Sequence, residues 1–570
     1  MTLRAKPVAR RDARPPAHPG DRRNFYINLG FAISIVAAVV ILVAALGLTW
    51  YNGHLAPAAK VYGETITKDE FATRYSIETF RIDYAEARLR TLVNLGYMTD
   101  DQESQQIQYI NNSKSQLVAI ALERVIDVRI QAKLASEAGI TVTDAEIDAK
   151  FKKEATVETQ RHAWVIEVQP ERDPGVREPT AAQVVAAKAK ADQALADLKA
   201  GKSWEDVASA VSTAEYGGAN GDLGFLGASV TYDAVYLDAI FKAPLNTITG
   251  VLEGEDGTFR IGRATEEGAA QEDVTFQTRL TDAKIKTADY RAVIKADVIR
   301  DKLEAKVIAD LSLPSAQRHI AEIYIADNGS APSATAVKTR HVLYSPKNDP
   351  AGAAALAETD PAWKAAEDEA RATYAKLKVD IGQFDAIARK DSDEASAKLT
   401  GGKLPYYDEN SSIDPSYAAA ILDTSLKPGD LLEPIRTSFG WDVIQIMHGP
   451  TDEQWAAQVR TQLDTGAKFS DLARDNSEGP GAAEGGDGGW ISRGELTQQL
   501  EDAVFKTGIG GLSDSVVISG DGVYLVKVLA EETRSPTPAQ IAVYKSTGFS
   551  NWYEPKKTAA NVERLLTAGS

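Results

Sequence analysis

Two hydrophobic periods alternate along this chain, and the places where one gives way to the other mark its elements. From Gly30 to Leu48 almost every residue is apolar, and no Lys, Arg, Asp or Glu occurs between Arg23 and Lys60. That length predicts a helix able to cross the roughly 30 Å hydrocarbon core of a bilayer. Trp50 and Tyr51 close it, as interfacial aromatics do. From Ser113 to Ala138 apolar residues recur at helical spacing (Leu117, Ile120, Val125, Val128) and stop at Gly139. Thr67 with Glu70 makes a capping box for one helix, and Thr143 caps another. Residues 61–155 and 271–315 therefore read as helical, amphipathic segments.

Short β-branched runs between turn formers predict strands at 161–168, 318–325 and 339–345. Each opens on the same pair: Arg161-His162, Arg318-His319 and Arg340-His341. The chain has only six histidines, and three of them stand in this setting. After the first and third strands come a long helix, a short helix, a glycine-rich stretch, a helix and two closing strands. The glycine-rich stretches lie at 217–226, 401–405 and 485–496. Residues 453–530 run through the series again without an opening strand of their own. Helices and short strands mixed in this order give an α+β fold class.

Length and composition add limits. At 570 residues and 44% hydrophobic, the chain can bury several cores. Its first 51 residues carry seven Lys/Arg against Asp12 and Asp21, whereas the whole chain is at −18. So acidic a body argues against a nucleic-acid partner. The absence of cysteine removes disulfides, thiolate nucleophiles and Cys-based metal sites. Basic residues before the apolar run place residues 1–24 in the cytoplasm and the body outside. The competing reading is a cleaved signal peptide cut near Ala56–Ala59.

The order of Arg-His strand, helices, G-G-D-L-G-like turn, helix and closing strands resembles parvulin-type peptidyl-prolyl isomerase domains. The V-x-G-E-x-I-T opening at Val61 and the G-I-T-V-T-D-A-E-I-D stretch at Gly139 resemble the helical domain of membrane-linked foldases of the PrsA/SurA type. This resemblance implies small antiparallel sheets flanked by helices, and a division of the chain. Residues 1–24 are a disordered cytoplasmic tail and 25–51 a transmembrane helix. Residues 61–155 and 271–315 form a helical chaperone domain, to which a C-terminal helix in 536–570 returns. Residues 157–266 are a first parvulin-like domain and 337–449 a second. The leftover strand at 316–327 and the last copy, 450–530, read as a third domain split by insertion of the second. The alternative leaves 318–325 in the helical core and makes the last copy a three-stranded remnant. Asn328-Gly329-Ser330-Ala331-Pro332-Ser333 reads as a linker.

The resemblance also implies a site. Family members carry two facing histidines, a Cys or Asp on the loop before the glycine turn, and an apolar floor for proline. On this sequence the first histidine falls at His162, His341 and His319. The place of the second falls at Phe259, Asp442 and Tyr524, the last set to pair with His319. The loop acid falls at Ala214, at Glu394, and at Gly479 or Glu478. The floor falls on Leu223, Tyr232 and Tyr236 in the first copy and on Leu404, Ile413 and Tyr417 in the second. In the third it falls on Leu496 and Leu500, with Trp490 nearby. His341, Glu394, Asp442 and Thr437 make the second copy the fullest set. A strand histidine also serves simply to satisfy a buried hydrogen-bond network. The glycine stretches carry no G-K-[ST], so they do not read as phosphate loops.

These residues imply an extracytoplasmic isomerase and chaperone acting on unfolded, proline-containing exported polypeptides, held to the membrane by its N-terminal helix, without cofactor or metal. The alternatives are a holdase whose parvulin copies only bind, and a docking scaffold for one envelope partner.

Overall fold

The computed structural model describes residues 19–173, 176–214, 220–327, 333, 335–448 and 451–566. The expected cytoplasmic tail to residue 18, the 328–332 part of the linker and the 217–219 part of the first glycine stretch lie outside them. One helix, Pro19–His54, opens the described chain. Its Val36–His54 portion is long and apolar enough to cross a membrane, and none of it is buried.

The helical body is built from segments far apart in sequence. Thr67 and Glu70 close a reciprocal capping box at the start of Lys68–Asn94, and Thr143 with Glu146 does the same for Asp144–Glu154. The apolar period from Ser113 to Ala138 is broken at Gln116. It is divided between the helices Asp100–Ser115 and Leu117–Glu137. Thr287–Leu311 packs Leu303 and Val307 against Leu122, Ile126 and Ile130. Phe549 and Tyr553, from Phe549–Ala559, complete that core. Glu563–Arg564 then pairs with Pro57–Val61, so the last strand described lies beside the first.

Three four-stranded antiparallel sheets share one strand order. In the first, Asp222–Gly227, Gln160–Val168, Phe259–Gly268 and Leu252–Glu253 are neighbours in that sequence. In the second the order is Lys403–Tyr407, Val337–Tyr344, Trp441–His448, Ile435–Arg436. In the third it is Asp487–Ile491, Ser315–Ala326, Gly522–Arg534, Val516–Ile518. Ser315–Ala326 is registered against Gly522–Arg534 along its whole length, from Ser315↔Arg534 to Ala326↔Gly522. The second sheet forms entirely from chain lying between those two strands.

The second and third sheets are joined through buried charge. Lys338, fully buried, donates to Glu478 Oε1 at 2.6 Å and lies over the rings of Trp455 and Tyr406. Arg340 donates to Asp475 Oδ1 at 3.0 Å, and Lys403 Nζ donates to the Arg474 carbonyl at 3.1 Å.

Candidate active site

Glycine, not the Arg-His pair, sets the common register of the three sheets. Each first strand donates a backbone N–H to a glycine carbonyl in the turn beside it: Val165 to Gly221, His341 to Gly402, and Glu322 to Gly486. All three glycines have φ between +71° and +85°, and a Cβ on any of them would meet the strand's carbonyl oxygen at 1.8–2.4 Å. No other residue fits there. The residue standing where His341 stands is therefore Val165 in the first copy and Glu322 in the third.

This corrects the reading of His162 and His319 as equivalents of His341. Both lie three positions earlier on their strands, at the place of Lys338, with Arg161 and Arg318 at that of Val337, and both doublets serve a structural clamp. Arg161 Nη1 donates to the Ile240 and Ala243 carbonyls, and Arg318 Nη1 to those of Val504 and Thr507. These carbonyls lie at a helix C-terminus, where cations bind well. His162 Nε2 lies 2.7 Å from Asp222 with its ring stacked on Trp164; His319 Nε2 lies 2.9 Å from Asp487 with its ring stacked on Trp490.

The second copy keeps a connected polar site. His341 is buried, with Nδ1 2.7 Å from Asp442 Oδ1 and Nε2 paired with the Glu394 carboxylate. With a carboxylate beside each ring nitrogen, the doubly protonated imidazole is the form that serves both. Burial opposes the charge, but the bonds to Asp442 and Glu394 outweigh it and hold His341 up at about 9. His341 in turn keeps the Glu394 carboxyl below its ordinary value, against its partial burial. Thr437 Oγ1 donates to Asp442 Oδ2 at 2.9 Å and fixes that carboxylate from behind.

These groups form one wall of a cavity of about 540 Å³. Leu404, Ile413 and Tyr417 line the rest of it with Tyr407 and Phe439, and the Tyr417 ring meets His341 edge-on. Sequence reasoning missed Tyr407 and Phe439. It also missed Ser392, whose Oγ accepts the N–H groups of Leu343 and Glu394 and so ties the acid's loop to the strand. Ser212 and Ser477 repeat that bond in the other copies, which places Ala214 and Gly479 where Glu394 stands. A serine just past the end of each short helix was the available signal.

The other two sites have changed chemistry. Ile444, Gly262 and Val526 lie opposite His341, Val165 and Glu322, so Asp442 corresponds to Arg260 and Tyr524. The second-histidine place in the first copy is thus Arg260, not Phe259, which pairs with Val168 instead. Arg260 binds Glu167 at 2.8 Å and Asp256 at 2.6 Å, Tyr232 donates to Glu167, and Tyr236 donates to the Trp164 carbonyl. Leu223 packs beside these tyrosines over a network already satisfied. In the third copy Tyr524 does not meet His319, which lies opposite Trp490 and Ala530. Tyr524 packs its ring at a tilt against Tyr324 and donates to Asp521 at 2.8 Å. Leu496 and Leu500 keep the floor positions, but Trp490 is turned to the His319 side, where Arg534 covers it. Among the described residues, no three His, Asp or Glu side chains are grouped to hold a metal ion.

Four-stranded sheets with this order, a glycine-set first strand and a histidine–carboxylate wall over an apolar floor define a parvulin-type domain. Comparison with known proteins agrees. Two family models described as the PPIC-type PPIase domain match this chain, one at 149–266 and 451–532 and the other at 341–448. The Foldase protein PrsA of Geobacillus sp. (strain WCH70) is 33% identical over 116 residues, covering 20% of this chain and 42% of that protein. The Chaperone SurA of Nitrosospira multiformis is 26% identical over 242 residues, covering 36% and 54%. Among solved structures, PrsA from Bacillus anthracis matches at 19% identity and a TM-score of 0.15, over 34% of this chain and 71% of that one. The chain spans about half or less of the length of these curated relatives. It belongs to the PPIC-type peptidyl-prolyl isomerase family, with several domains of that kind, and is similar to PrsA and SurA proteins.

Proposed function

We propose that this chain is an extracytoplasmic folding factor, tethered by Val36–His54 with its N-terminus in the cytoplasm, which isomerises X–Pro bonds in exported polypeptides at residues 337–449. That domain is inserted into a third parvulin-like domain made of 316–327 and 450–530. The first copy, 157–266, and the third bind without catalysis, beside a helical chaperone body of 61–155 and 271–315 closed by residues 536–570. The observation that carries this reading is the buried His341 held between Glu394 and Asp442, where the other copies have Val165 and Glu322.

Rotation about X–Pro meets a barrier near 20 kcal/mol because the amide is conjugated, and no covalent step is needed to lower it. A prolyl ring on Leu404, Ile413 and Tyr417 brings its amide to the His341–Glu394 wall of the same cavity. Conjugation places negative charge on the carbonyl oxygen. A fixed carboxylate at Glu394 disfavours that charge and so favours the twisted amide, whose nitrogen has regained its lone pair. Asp442 and Thr437 orient His341, and His341 positions Glu394.

Residues 52–570 are expected to accelerate a proline-limited refolding step that otherwise takes about 10–100 s. Glu394→Ala is expected to reduce this acceleration by about 10²-fold, the cost of one preorganised electrostatic group. Glu394 keeps a third of its side chain exposed, so the substitution leaves the fold intact. Suppression of client aggregation is expected to survive the substitution, because it belongs to the binding surfaces. Equal acceleration by the variant, or none by the unsubstituted protein, contradicts the isomerase reading.

A further inference from the structure

The third copy keeps the place of a catalytic pocket and carries a different chemistry there. Glu322 replaces His341, Gly479 replaces Glu394 and, by the same glycine register, Gly488 replaces Leu404. Gly479 puts no side chain beside the carboxylate, where a Cβ would stand 3.6 Å from Glu322 Oε1, and Ile320 packs against Gly488. Proline recognition needs an apolar seat. A buried carboxylate suits a cation instead.

A cation is present. Arg177, in the connection between Gln160–Val168 and Ala181–Lys199 of the first copy, directs its Nη2 onto Glu322 Oε1, and its backbone N–H donates to Glu484 Oε2 at 3.2 Å. The Glu322 side chain keeps only 14% of its surface exposed. Burial raises its carboxyl, and Arg177 is the opposing charge. Arg177 also lowers the Glu495 carboxyl, which burial otherwise raises. A carboxylate this buried is costly without a partner, and a planar guanidinium is the side chain that best satisfies one.

We infer that the third parvulin-like copy is a receptor for a peptidyl arginine side chain, and that Arg177 of the same chain occupies it at rest. The site is separate from the His341 centre, and the inference does not depend on isomerase activity there. Arg177 acts as a tethered competitor, so removing it uncovers the receptor for an arginine-bearing segment of an unfolded polypeptide.

The test is binding of an unstructured, fluorescently labelled peptide with one arginine, and of its citrulline counterpart, to residues 52–570. Arg177→Ala is expected to bind the arginine peptide about tenfold tighter than the unsubstituted protein, as a site masked nine-tenths of the time becomes open. The citrulline peptide gains nothing, because citrulline keeps the shape and loses the charge. Adding Glu322→Gln to Arg177→Ala abolishes the gain. Circular dichroism spectra matching the unsubstituted protein, with a cooperative melt above the assay temperature, show that both variants fold. Equal affinity of Arg177→Ala and the unsubstituted protein for the arginine peptide overturns the inference, as does a gain that survives Glu322→Gln or extends to citrulline.

Discussion

Glu478→Ala is expected to destabilise the second and third parvulin domains together, by about 3–5 kcal/mol, the cost of breaking a buried ion pair from one side. Lys338 has no solvent-exposed surface, and its ammonium lies between Trp455, Tyr406 and Glu478 Oε1. Removing the carboxylate leaves a cation with nowhere to hydrate. Glu478 Oε2 also accepts from the Ala326 N–H, at the end of the strand that leads toward the second sheet. One side chain thus ties the host strand to the first strand of the neighbouring domain. Urea denaturation of residues 52–570 measures the effect. The double variant Lys338→Met/Glu478→Leu is expected to recover most of the loss, since replacing both partners by apolar groups removes the desolvation penalty as well. A single-variant loss below about 1 kcal/mol would show that the pair is effectively solvated.

Asp442→Ala is expected to cost about 3 kcal/mol and to pull the His341 titration down from about 9. With Asp442 gone, one of the two carboxylates that overcome burial is lost, and Thr437 loses its acceptor. The sign of the pH dependence follows from the raised value. In the unsubstituted protein the stabilisation from charged His341 is complete below an unfolded value near 6.5 and disappears as pH rises through about 9. The lowered Glu394 carboxyl acts on the other side, and its contribution is lost as pH falls. The second domain is therefore expected to melt highest in mildly acidic solution, between the ordinary carboxyl value near 4.5 and the ordinary histidine value near 6.5. In Asp442→Ala the alkaline decline should begin at lower pH. Imidazole resonances followed by NMR across pH 5–10 give the titration, and an unchanged His341 midpoint would separate Asp442 from the site.

Much of this architecture was legible in the sequence, but one reading of it was misleading. Hydrophobic period and capping boxes placed the helical body, because Thr67–Glu70 and Thr143–Glu146 are local signals that need no tertiary context. The Arg-His doublet recurs three times, yet it has two meanings. At 161–162 and 318–319 it clamps a helix end and stacks on tryptophan, whereas at 340–341 it fills an interface and a site. Identity of residues was mistaken for identity of register. The glycine turn carried the register, since there a strand carbonyl approaches closely enough to exclude every side chain. Asp442 could be placed from sequence because it lies two residues after such an anchor, Gly440. The one-residue displacement from Phe259 to Arg260 shows how weak that inference becomes where the closing turn lacks one. The meeting of Arg177 with Glu322 joins residues 145 positions apart in different copies, and no local pattern announces it.

Comparing the three Arg-His positions in one assay tests the account most directly. The cis–trans exchange rate of a proline peptide, measured by NMR with residues 52–570 carrying His162→Ala, His319→Ala or His341→Ala, reads each copy in turn. The account predicts that His341→Ala reduces the catalysed exchange by about 10²-fold while the other two leave it close to the unsubstituted rate. Exchange that survives His341→Ala, or that falls as far with His162→Ala or His319→Ala in a folded protein, would contradict it.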